Sequence, residues 1–205
     1  VTRVRKDSVR VKIPGVRVGT LCWVHTTQGK LPIEIVSLDP EGHVGMPLDD
    51  LGNVQLGDRV EIGEEFATIP AGEALLGQVV DSMCVPYEKK GNTSLEDRVP
   101  LYGSMLNPLA RELIKQPLDL GVTAINACLT TGKGQRTGIF AGSGVGKSVL
   151  LGMMARNTEA DVVVIGLIGE RGREVREFIE RELGAEGMKK SVVVVETADK
   201  SPVRR

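Results

Sequence analysis

The feature that most constrains this chain is a glycine-rich stretch at residues 137–156, TGIFAGSGVGKSVLLGMMAR. The short apolar run at 139–141 predicts a strand, and the residues that follow Lys147 and Ser148 favour a helix. Glycines let a backbone curl until successive N–H groups converge on one anion, and the dipole at the start of a helix favours negative charge there. Strand, phosphate-binding loop and helix in this order predict a nucleotide-binding α/β domain.

The expected roles of the loop residues follow from this arrangement. The Lys147 ammonium would reach the β- and γ-phosphates of a nucleotide, and the Ser148 hydroxyl would ligate Mg²⁺. The predicted nucleotide-binding residues are eight consecutive positions: Gly142, Ser143, Gly144, Val145, Gly146, Lys147, Ser148 and Val149. The motif usually opens with glycine where this chain has Ala141, so its first position departs from the pattern.

Length and composition narrow the class of protein. The chain has 205 residues, enough for one large or two small domains. Its net charge is −1 and aromatic residues make up 3%, so composition gives no support to nucleic-acid binding. Cys22, Cys84 and Cys128 lie far apart without metal-binding spacing, which favours the reduced thiols of a cytosolic protein. There is no apolar run of about 18 residues and no signal-peptide pattern, so we expect a soluble protein.

Residues 1–67 are rich in short apolar stretches with turn residues between them. Strands are predicted at 9–13, 16–18, 21–24, 33–36, 43–46 and 56–62, with a polar turn at 26–30. Closely spaced short strands favour a small Greek-key or closed β-barrel. Trp23 is the only aromatic residue in the first 65, so an assembly or packing role is favoured over oligonucleotide binding. His25 and His43 lack metal-type spacing and are interpreted as surface or turn positions.

Residues 68–205 predict a second domain. The segments before the loop are predicted as a strand or strand pair at 74–81, a flexible polar loop at 86–100, and short helices at 109–114 and 118–129. After the loop helix, strands covered on both faces are predicted at 161–169 and 191–197, with a helix at about 174–183 that stops at Gly184. This alternation predicts an α/β fold with a parallel sheet, preceded by the β-barrel.

Glu170 and Arg171 come directly after the predicted strand at 161–169. In an open α/β sheet, ligands bind outside the carboxyl ends of the strands, which is also where the phosphate-binding loop would lie. Glu170 could therefore orient the water that attacks the γ-phosphate, while Arg171 stabilises charge or pairs with Glu174. A solvated charge cluster that caps a helix accounts for the same residues, and spacing alone does not decide between these two interpretations.

Several segments of the sequence resemble a known family. The segments FAGSGVGKSVLLGMMAR (140–156) and ADVVVIGLIGERGREVREFIE (160–180) closely resemble the ATPases of flagellar and type III protein export, which are relatives of the catalytic subunit of rotary ATP synthases. LDLGVTAINACLTTGKGQRTGIF (118–140) and SVVVVETADKSP (191–202) support the resemblance. It is strong over about 101–203, and the residues at 152–156 and 198–202 look more like the flagellar branch than the virulence-secretion branch.

The resemblance implies a homohexameric ATPase with active sites between subunits. It implies a β-barrel assembly domain at 1–67 and, at 68–205, the first part of a RecA-like nucleotide-binding domain. ATP and Mg²⁺ would be the ligands, with Lys147 and Ser148 on the phosphates and the metal, Glu170 as the catalytic carboxylate and Arg171 as its partner. The implied partners are export chaperones, a regulator and the membrane export gate, with the ATPase in the cytoplasm and peripheral to the inner membrane.

The chain departs from the family pattern in two places. The family typically has Gly-Arg-Pro where this chain has Cys84-Val85-Pro86, whereas Ala141 is normal for the export branch. The chain also stops at Arg205, before the family's Mg²⁺-holding aspartate, the arginine that reaches a neighbouring site and a helical domain. The expectation from sequence is therefore an N-terminal fragment that binds ATP weakly and hydrolyses it very slowly, since an arginine finger alone is worth about 10³–10⁵ in rate.

Three alternative functions stay open from the sequence. A rotary ATP synthase subunit would copurify with proton-translocating partners. A hexameric RNA translocase would show ATPase activity that single-stranded RNA stimulates, although the low aromatic content and neutral charge speak against it. A non-catalytic nucleotide-binding subunit would be expected to lack the carboxylate of Glu170.

Overall fold

The computed structural model describes residues 1–49, 51–63, 68–88, 97–101, 103, 106–142, 144–202 and 204–205. The chain forms two compact units. The first unit contains residues 1–71, 95–103 and 198–205, and the second contains residues 72–94 and 104–197. Within the described ranges, no helix is both long and apolar enough to cross a membrane.

The first unit is built on a six-stranded antiparallel sheet. Its strands are β1 (Arg3–Val4), β2 (Val9–Val11), β3 (Leu21–Thr26), β4 (Gly29–Ser37), β5 (His43–Pro47) and β6 (Val60–Ile62). The sheet order is β1-β2-β5-β4-β3-β6, so β1 and β6 are its edges. The Gly57 amide donates a hydrogen bond to the Val1 carbonyl at 2.8 Å, which joins the chain just outside the two edge strands. The sheet therefore curls on itself, which confirms the predicted small β-barrel.

The core of the barrel consists of residues that alternate along its strands. Val9, Val11, Val24, Ile33 and Ile35 are almost completely buried, because successive side chains of a strand point to opposite faces. The predicted strands were recognised by alternating apolar and polar residues. In the structure, the apolar residues of this alternation lie on the inner face of the sheet.

Three details of the predicted barrel differ from the structure. Residues 16–18 belong to no strand, because the Thr20 amide donates to the Arg17 carbonyl at 3.1 Å and closes a turn. Strand β6 begins only at Val60, because the residues before it form another turn. In this turn the Gln55 amide donates a hydrogen bond to the Asp58 carboxylate at 2.7 Å. The turn predicted at 26–30 is also shorter in the structure, where β4 already begins at Gly29.

Three short strands follow the barrel: β7 (Thr68–Ala71), β8 (Val79–Val80) and β9 (Asp97–Pro100). β7 and β9 pair with each other in antiparallel register. The strand predicted at 74–81 is reduced to β8, because Glu73–Leu75 forms a 3₁₀ turn in which the Leu75 amide donates to the Gly72 carbonyl at 3.1 Å. Of the flexible loop predicted at 86–100, residues 97–100 form β9 and residues 89–96 lie outside the described part.

The second unit has a parallel sheet with helices beside it. Its remaining elements are a 3₁₀ turn (Pro108–Ala110), α1 (Thr123–Cys128), α2 (Lys147–Asn157), β10 (Val163–Ile168), α3 (Gly172–Glu177), a π-helical segment (Phe178–Leu183), α4 (Gly184–Lys189) and β11 (Ser191–Glu196). β11 pairs in parallel with β10 on one side and β8 on the other. The predicted parallel α/β arrangement is therefore confirmed.

The two short helices predicted before the phosphate-binding loop are smaller than expected. The segment at 109–114 contributes only the end of the 3₁₀ turn, which the Asn107 carboxamide caps by accepting from the Leu109 amide at 3.0 Å. The segment at 118–129 is helical only from Thr123, since the Asp119 carboxylate accepts from the Gly121 amide and folds the preceding residues into a tight turn.

Strand burial agrees with the prediction for β11 but not for β10. Val193 and Val195 of β11 are buried, whereas Val164 of β10 is 70% exposed. β10 lies at an edge of the three-stranded sheet. Its residues Ile165 and Leu167 pack against the helical core, while the opposite face is uncovered within the described residues.

The strand predicted at 139–141 does not form. These residues are irregular in the structure, and the Phe140 side chain is 96% exposed. A strand requires a neighbouring backbone with which to share hydrogen bonds, and none of the described strands pairs with this segment. The apolar pattern was present, but pairing decides whether a strand forms.

The helix predicted at about 174–183 begins two residues earlier than expected and changes its geometry. It begins at Gly172 and becomes π-helical at Phe178. The π-helical segment ends at Leu183, and Gly184 is its C-cap with a φ of 63°, so the predicted stop at Gly184 is confirmed. A separate short helix, α4, follows to Lys189. Glu177 and Arg181 form an i,i+4 ion pair at 2.7 Å.

Candidate functional site

The phosphate-loop motif forms an open turn that leads into α2. Gly144 and Gly146 have φ values of 76° and 97°, a left-handed conformation that non-glycine residues adopt only at a steric penalty. Gly146 is the N-cap of α2, and it offers no side-chain acceptor to the first amides of the helix. The amides of the first helical turn are therefore available to an anion from outside.

A cavity of about 780 Å³ opens beside this loop. Its lining residues come from the loop and the start of α2, and from β10, α3, the turn after β10 and the π-helical segment. A volume in the range of about 300–1,000 Å³ is typical of small-molecule and cofactor sites.

The cavity brings most of the predicted site residues together. Six of the eight predicted loop residues line it: Gly142, Gly144, Gly146, Lys147, Ser148 and Val149. Glu170 lies on the same cavity, as the interpretation of Glu170 as a residue facing the phosphates requires. Val145 is 67% exposed and is not among the lining residues, and Ser143 lies outside the described residues.

Arg171 is placed differently from Glu170. Its guanidinium lies 3.6 Å from the Glu174 carboxylate, and its side chain is 77% exposed. It is not among the residues that line the cavity, whereas Glu174 is. Of the two roles considered for Arg171, the structure contains the ion pair with Glu174.

The turn after β10 positions Glu170. Gly169 has a φ of 78°, and its amide donates to the Glu196 carbonyl of the neighbouring strand at 2.7 Å. The Glu196 carboxylate is itself fully buried and accepts from the Ser82 amide at 2.9 Å. The sheet therefore fixes the backbone immediately before Glu170, which is half-buried at the cavity wall.

The helical packing fixes the position of α2. Ala155 of α2 is buried together with Phe178 and Leu183 of the π-helical segment. At the same C-terminal end of α2, the Lys190 ammonium donates to the Thr158 carbonyl at 2.7 Å. A cation here favours the exposed carbonyls of the last helical turn, so the C-terminal part of α2 is held in place.

Sequence reasoning missed part of the acidic wall of the cavity. Besides Glu170, the cavity is lined by Glu174, Glu177 and Glu182, and the sequence had assigned Glu174 only to an ion pair. Glu174 and Glu177 are three residues apart in the predicted helix, which places them on one helical face, and that signal was available. Lys147 is the only cation among the described residues that line the cavity.

This arrangement separates two kinds of chemistry. The loop and the start of α2 offer amide, ammonium and hydroxyl donors that suit phosphate oxygens. The glutamates that line the same cavity offer carboxylates that can accept a proton or orient a water molecule. Within the described residues, no group of three or more His, Cys, Asp or Glu side chains is placed to hold a metal ion.

Comparison with known proteins gives consistent results. Residues 121–205 match the ATP synthase alpha/beta family, nucleotide-binding domain. The flagellum-specific ATP synthase of Pseudomonas aeruginosa is 47% identical over 193 residues, which are 92% of this chain and 43% of that protein. The type 3 secretion system ATPase of Sinorhizobium fredii is 39% identical, over 100% of this chain and 46% of that protein.

Solved structures show the same relationship in three dimensions. The assembled ATPase EscN from the type III secretion system of enteropathogenic Escherichia coli matches with a TM-score of 0.87 and 35% identity, over 99% of this chain and 49% of that chain. EscN in complex with its central stalk EscO matches with a TM-score of 0.89 and the same identity. The chain thus spans about half the length of the relatives that it matches.

Proposed function

Because the chain belongs to the family of flagellar and type III secretion ATPases, in the ATP synthase superfamily, we propose that it binds ATP for an ATPase that powers type III protein export. The observation that carries this proposal is the single cavity lined by Lys147, Ser148 and Glu170. Donors that suit phosphates and carboxylates that can orient water line this one cavity, and phosphoryl transfer requires both kinds of group.

Nucleotide binding is assigned to the loop and to the start of α2. The backbone amides from Gly142 to Val149 surround the phosphates, and the Lys147 ammonium neutralises the β- and γ-phosphate charge. The Ser148 hydroxyl, exposed in the first turn of α2 and on the cavity wall, is the proposed protein ligand of Mg²⁺. Bound Mg²⁺ would supply charge neutralisation at the phosphate oxygens.

Hydrolysis is assigned to Glu170. Its carboxylate orients the attacking water and accepts hydrogen bonds from it, while the turn at Gly169 keeps the backbone fixed. Arg171 is proposed to break its ion pair with Glu174 during the reaction. Its guanidinium would then stabilise the Glu170 carboxylate or the negative charge that develops on the transferred phosphoryl group. The acidic residues Glu174 and Glu182 enlarge the negative wall and keep the phosphates on the Lys147 side by repulsion.

The active assembly is proposed to be a homohexamer. EscN, to which this chain is similar, has been solved as an assembled ATPase and with a stalk protein. We assign residues 1–67 to subunit assembly and residues 68–205 to the nucleotide-binding domain. Export chaperones, a regulator and the membrane export gate are the proposed partners, and the proposed location is the cytoplasmic side of the inner membrane.

A role as the catalytic subunit of a proton-translocating ATP synthase is the second candidate, and it is less favoured. The relatives with 39–47% identity are named for flagella or for type III secretion. Copurification with proton-translocating subunits would reverse this preference.

Calorimetry with MgATP tests nucleotide binding. Lys147→Ala should abolish measurable binding, because the single cation among the described lining residues is lost. Lys133→Ala is the control, since Lys133 pairs with Glu159 at 3.4 Å and is not among the lining residues. An unchanged dissociation constant for Lys147→Ala would contradict the assignment of the phosphate loop.

ATP turnover, measured over a range of protein concentrations, tests catalysis. Glu170→Gln should retain MgATP binding and lose turnover, because an amide is a poor acceptor for the proton of the attacking water. Glu180→Gln is the matched control, since Glu180 pairs with Arg176 at 2.7 Å and is not among the lining residues. Turnover of Glu170→Gln near the wild-type rate would make this carboxylate a structural group.

A further inference from the structure

The first unit contains a small pocket that the proposed function does not use. The pocket has a volume of about 30 Å³ and lies beside β1 and β2. Its described lining residues are Arg3, Arg5, Ser8, Val9, Arg10 and Val44. Three arginines and a hydroxyl thus line one small concave site, and no carboxylate is among these residues.

Strand register brings the arginines together. Arg3 of β1 lies directly opposite Arg10 of β2 in the antiparallel pair. Arg5 follows the end of β1 and lines the same pocket. The Arg5 amide donates to the Ser8 carbonyl at 2.8 Å and closes the turn that brings the Ser8 side chain to the same pocket.

This arrangement is electrostatically unfavourable when the pocket contains only water. Like charges directly opposite each other on two strands destabilise their pairing. Arg10 is partly compensated, because its guanidinium lies 3.4 Å from both the Asp39 and the Glu41 carboxylates. The positive charge that these carboxylates do not compensate is therefore that of Arg3 and Arg5.

We propose that this pocket binds an oxyanion of the phosphoryl class, either free phosphate or the phosphate of a lipid headgroup. Guanidinium groups present paired N–H donors whose spacing matches two oxygens of a phosphate. A cavity of about 30 Å³ accommodates one or two oxygen atoms. The pocket therefore receives the exposed edge of a phosphoryl group rather than a whole nucleotide.

The test requires a background in which the phosphate loop no longer competes for the probe. We would titrate Lys147→Ala protein with inorganic phosphate and follow the arginine Nε–Hε resonances by NMR. Arg3, Arg5 and Arg10 should shift together and saturate, with a dissociation constant of about 1–10 mM. Adding Arg3→Gln and Arg5→Gln should weaken binding at least about fivefold, because two charge-assisted donors are lost.

The control pair is Lys6→Gln with Lys12→Gln, which removes the same charge from exposed residues that do not line the pocket. This control should change the dissociation constant by less than about twofold, since exposed charges are screened by salt. An equal loss in both double variants, or shifts that do not saturate, would overturn the proposal.

Sedimentation with vesicles that contain phosphatidic acid separates the two sources of phosphate. If a lipid headgroup is the ligand, the Arg3→Gln, Arg5→Gln protein should lose vesicle binding and the lysine control should keep it. If free phosphate is the ligand, both variants should sediment alike while only the arginine variant loses phosphate binding by NMR. Loss of neither activity in the arginine variant would overturn the proposal.

Discussion

Gly152 of α2 lies in direct contact with the backbone of Glu182 in the π-helical segment. A Cβ atom added at Gly152 would lie 2.7 Å from both the Glu182 carbonyl oxygen and the Glu182 Cβ. The helix that follows the phosphate-binding loop therefore touches the segment that supplies part of the acidic cavity wall, and only a residue without a side chain permits this distance.

We expect Gly152→Ala to destabilise the second unit by about 1–2 kcal/mol, because overpacking outweighs the gain in helix propensity. Thermal unfolding followed by circular dichroism would measure the change. Gly172→Ala is the control, since an added Cβ there meets no atom within 4 Å. Equal stabilities for the two variants would show that α2 can shift away from Glu182 with little loss of folding free energy.

Cys84 has a φ of 59°, the left-handed conformation that a side chain disfavours. The Asp81 carboxylate holds this turn by accepting from the Met83 and Val85 amides at 2.9 and 2.8 Å. The family that this chain resembles typically has glycine at this position, and the positive φ of this residue is the physical reason. Cys84→Gly should therefore stabilise the protein by up to about 1 kcal/mol. This value is the steric penalty of the left-handed conformation for a side chain, reduced by the larger conformational entropy that glycine loses on folding.

Urea denaturation would measure that gain, with Cys84→Ala as the control for loss of the thiol. Alanine keeps the Cβ and the strain, so it should not be more stable than the cysteine protein. A stabilisation that is equal in the two variants would attribute the effect to the thiol rather than to the backbone.

Ser148→Ala should reduce the contribution of Mg²⁺ to nucleotide binding. The protein loses its proposed metal ligand but keeps Lys147, so affinity for ATP without metal should change little. We expect the MgATP dissociation constant to rise about tenfold, whereas Ser148→Thr should preserve binding because it retains the hydroxyl. Calorimetry with and without Mg²⁺ would decide, and equal losses in both conditions would place Ser148 outside the metal site.

Arg171→Gln should leave the stability of the fold within about 0.5 kcal/mol of wild type, because an exposed ion pair contributes little. Any loss of ATP turnover in this variant would then report a chemical role rather than a structural one. Glu174→Gln breaks the same ion pair from the other side. If both variants lose turnover equally, the pair acts as a unit, and if neither loses turnover, Arg171 has no role in catalysis.

Glu61 should make the first unit sensitive to acid. Hydrogen bonds from Lys30, and then from His25 at 2.8 Å, lower the pKa of the Glu61 carboxyl. The folded state therefore binds fewer protons than the unfolded state. The stabilisation of the folded state by the Glu61 carboxylate is fully present above the unfolded pKa of about 4.3, and it is lost as the pH falls through the lower pKa of the folded state.

Trp23 is the only tryptophan in the chain and lies on β3 in the same unit, so its fluorescence reports unfolding of the barrel. Glu61→Gln should flatten the decrease in stability between about pH 5 and pH 3. Lys30→Met removes the largest cause of the shift and should flatten the decrease in part. A wild-type slope in Glu61→Gln would show that other groups govern the acid response.

The sequence by itself determined the elements whose signals are local. The glycines of the phosphate-binding loop, the helix that follows it and the buried strand β11 were predicted from patterns within a few residues. Turns, helix starts and the alternation of apolar side chains depend on neighbours in the chain, so they can be inferred without a fold.

Tertiary structure decided everything that depends on partners distant in sequence. The run at 139–141 has the apolar composition of a strand but lacks a pairing partner among the described strands, and β10 has one uncovered face. The contact between Gly152 and Glu182 joins residues that are far apart in the sequence. The physical reason is that backbone pairing, close packing and the meeting of charges at one cavity are set by which surfaces touch, and a local pattern does not specify its partner.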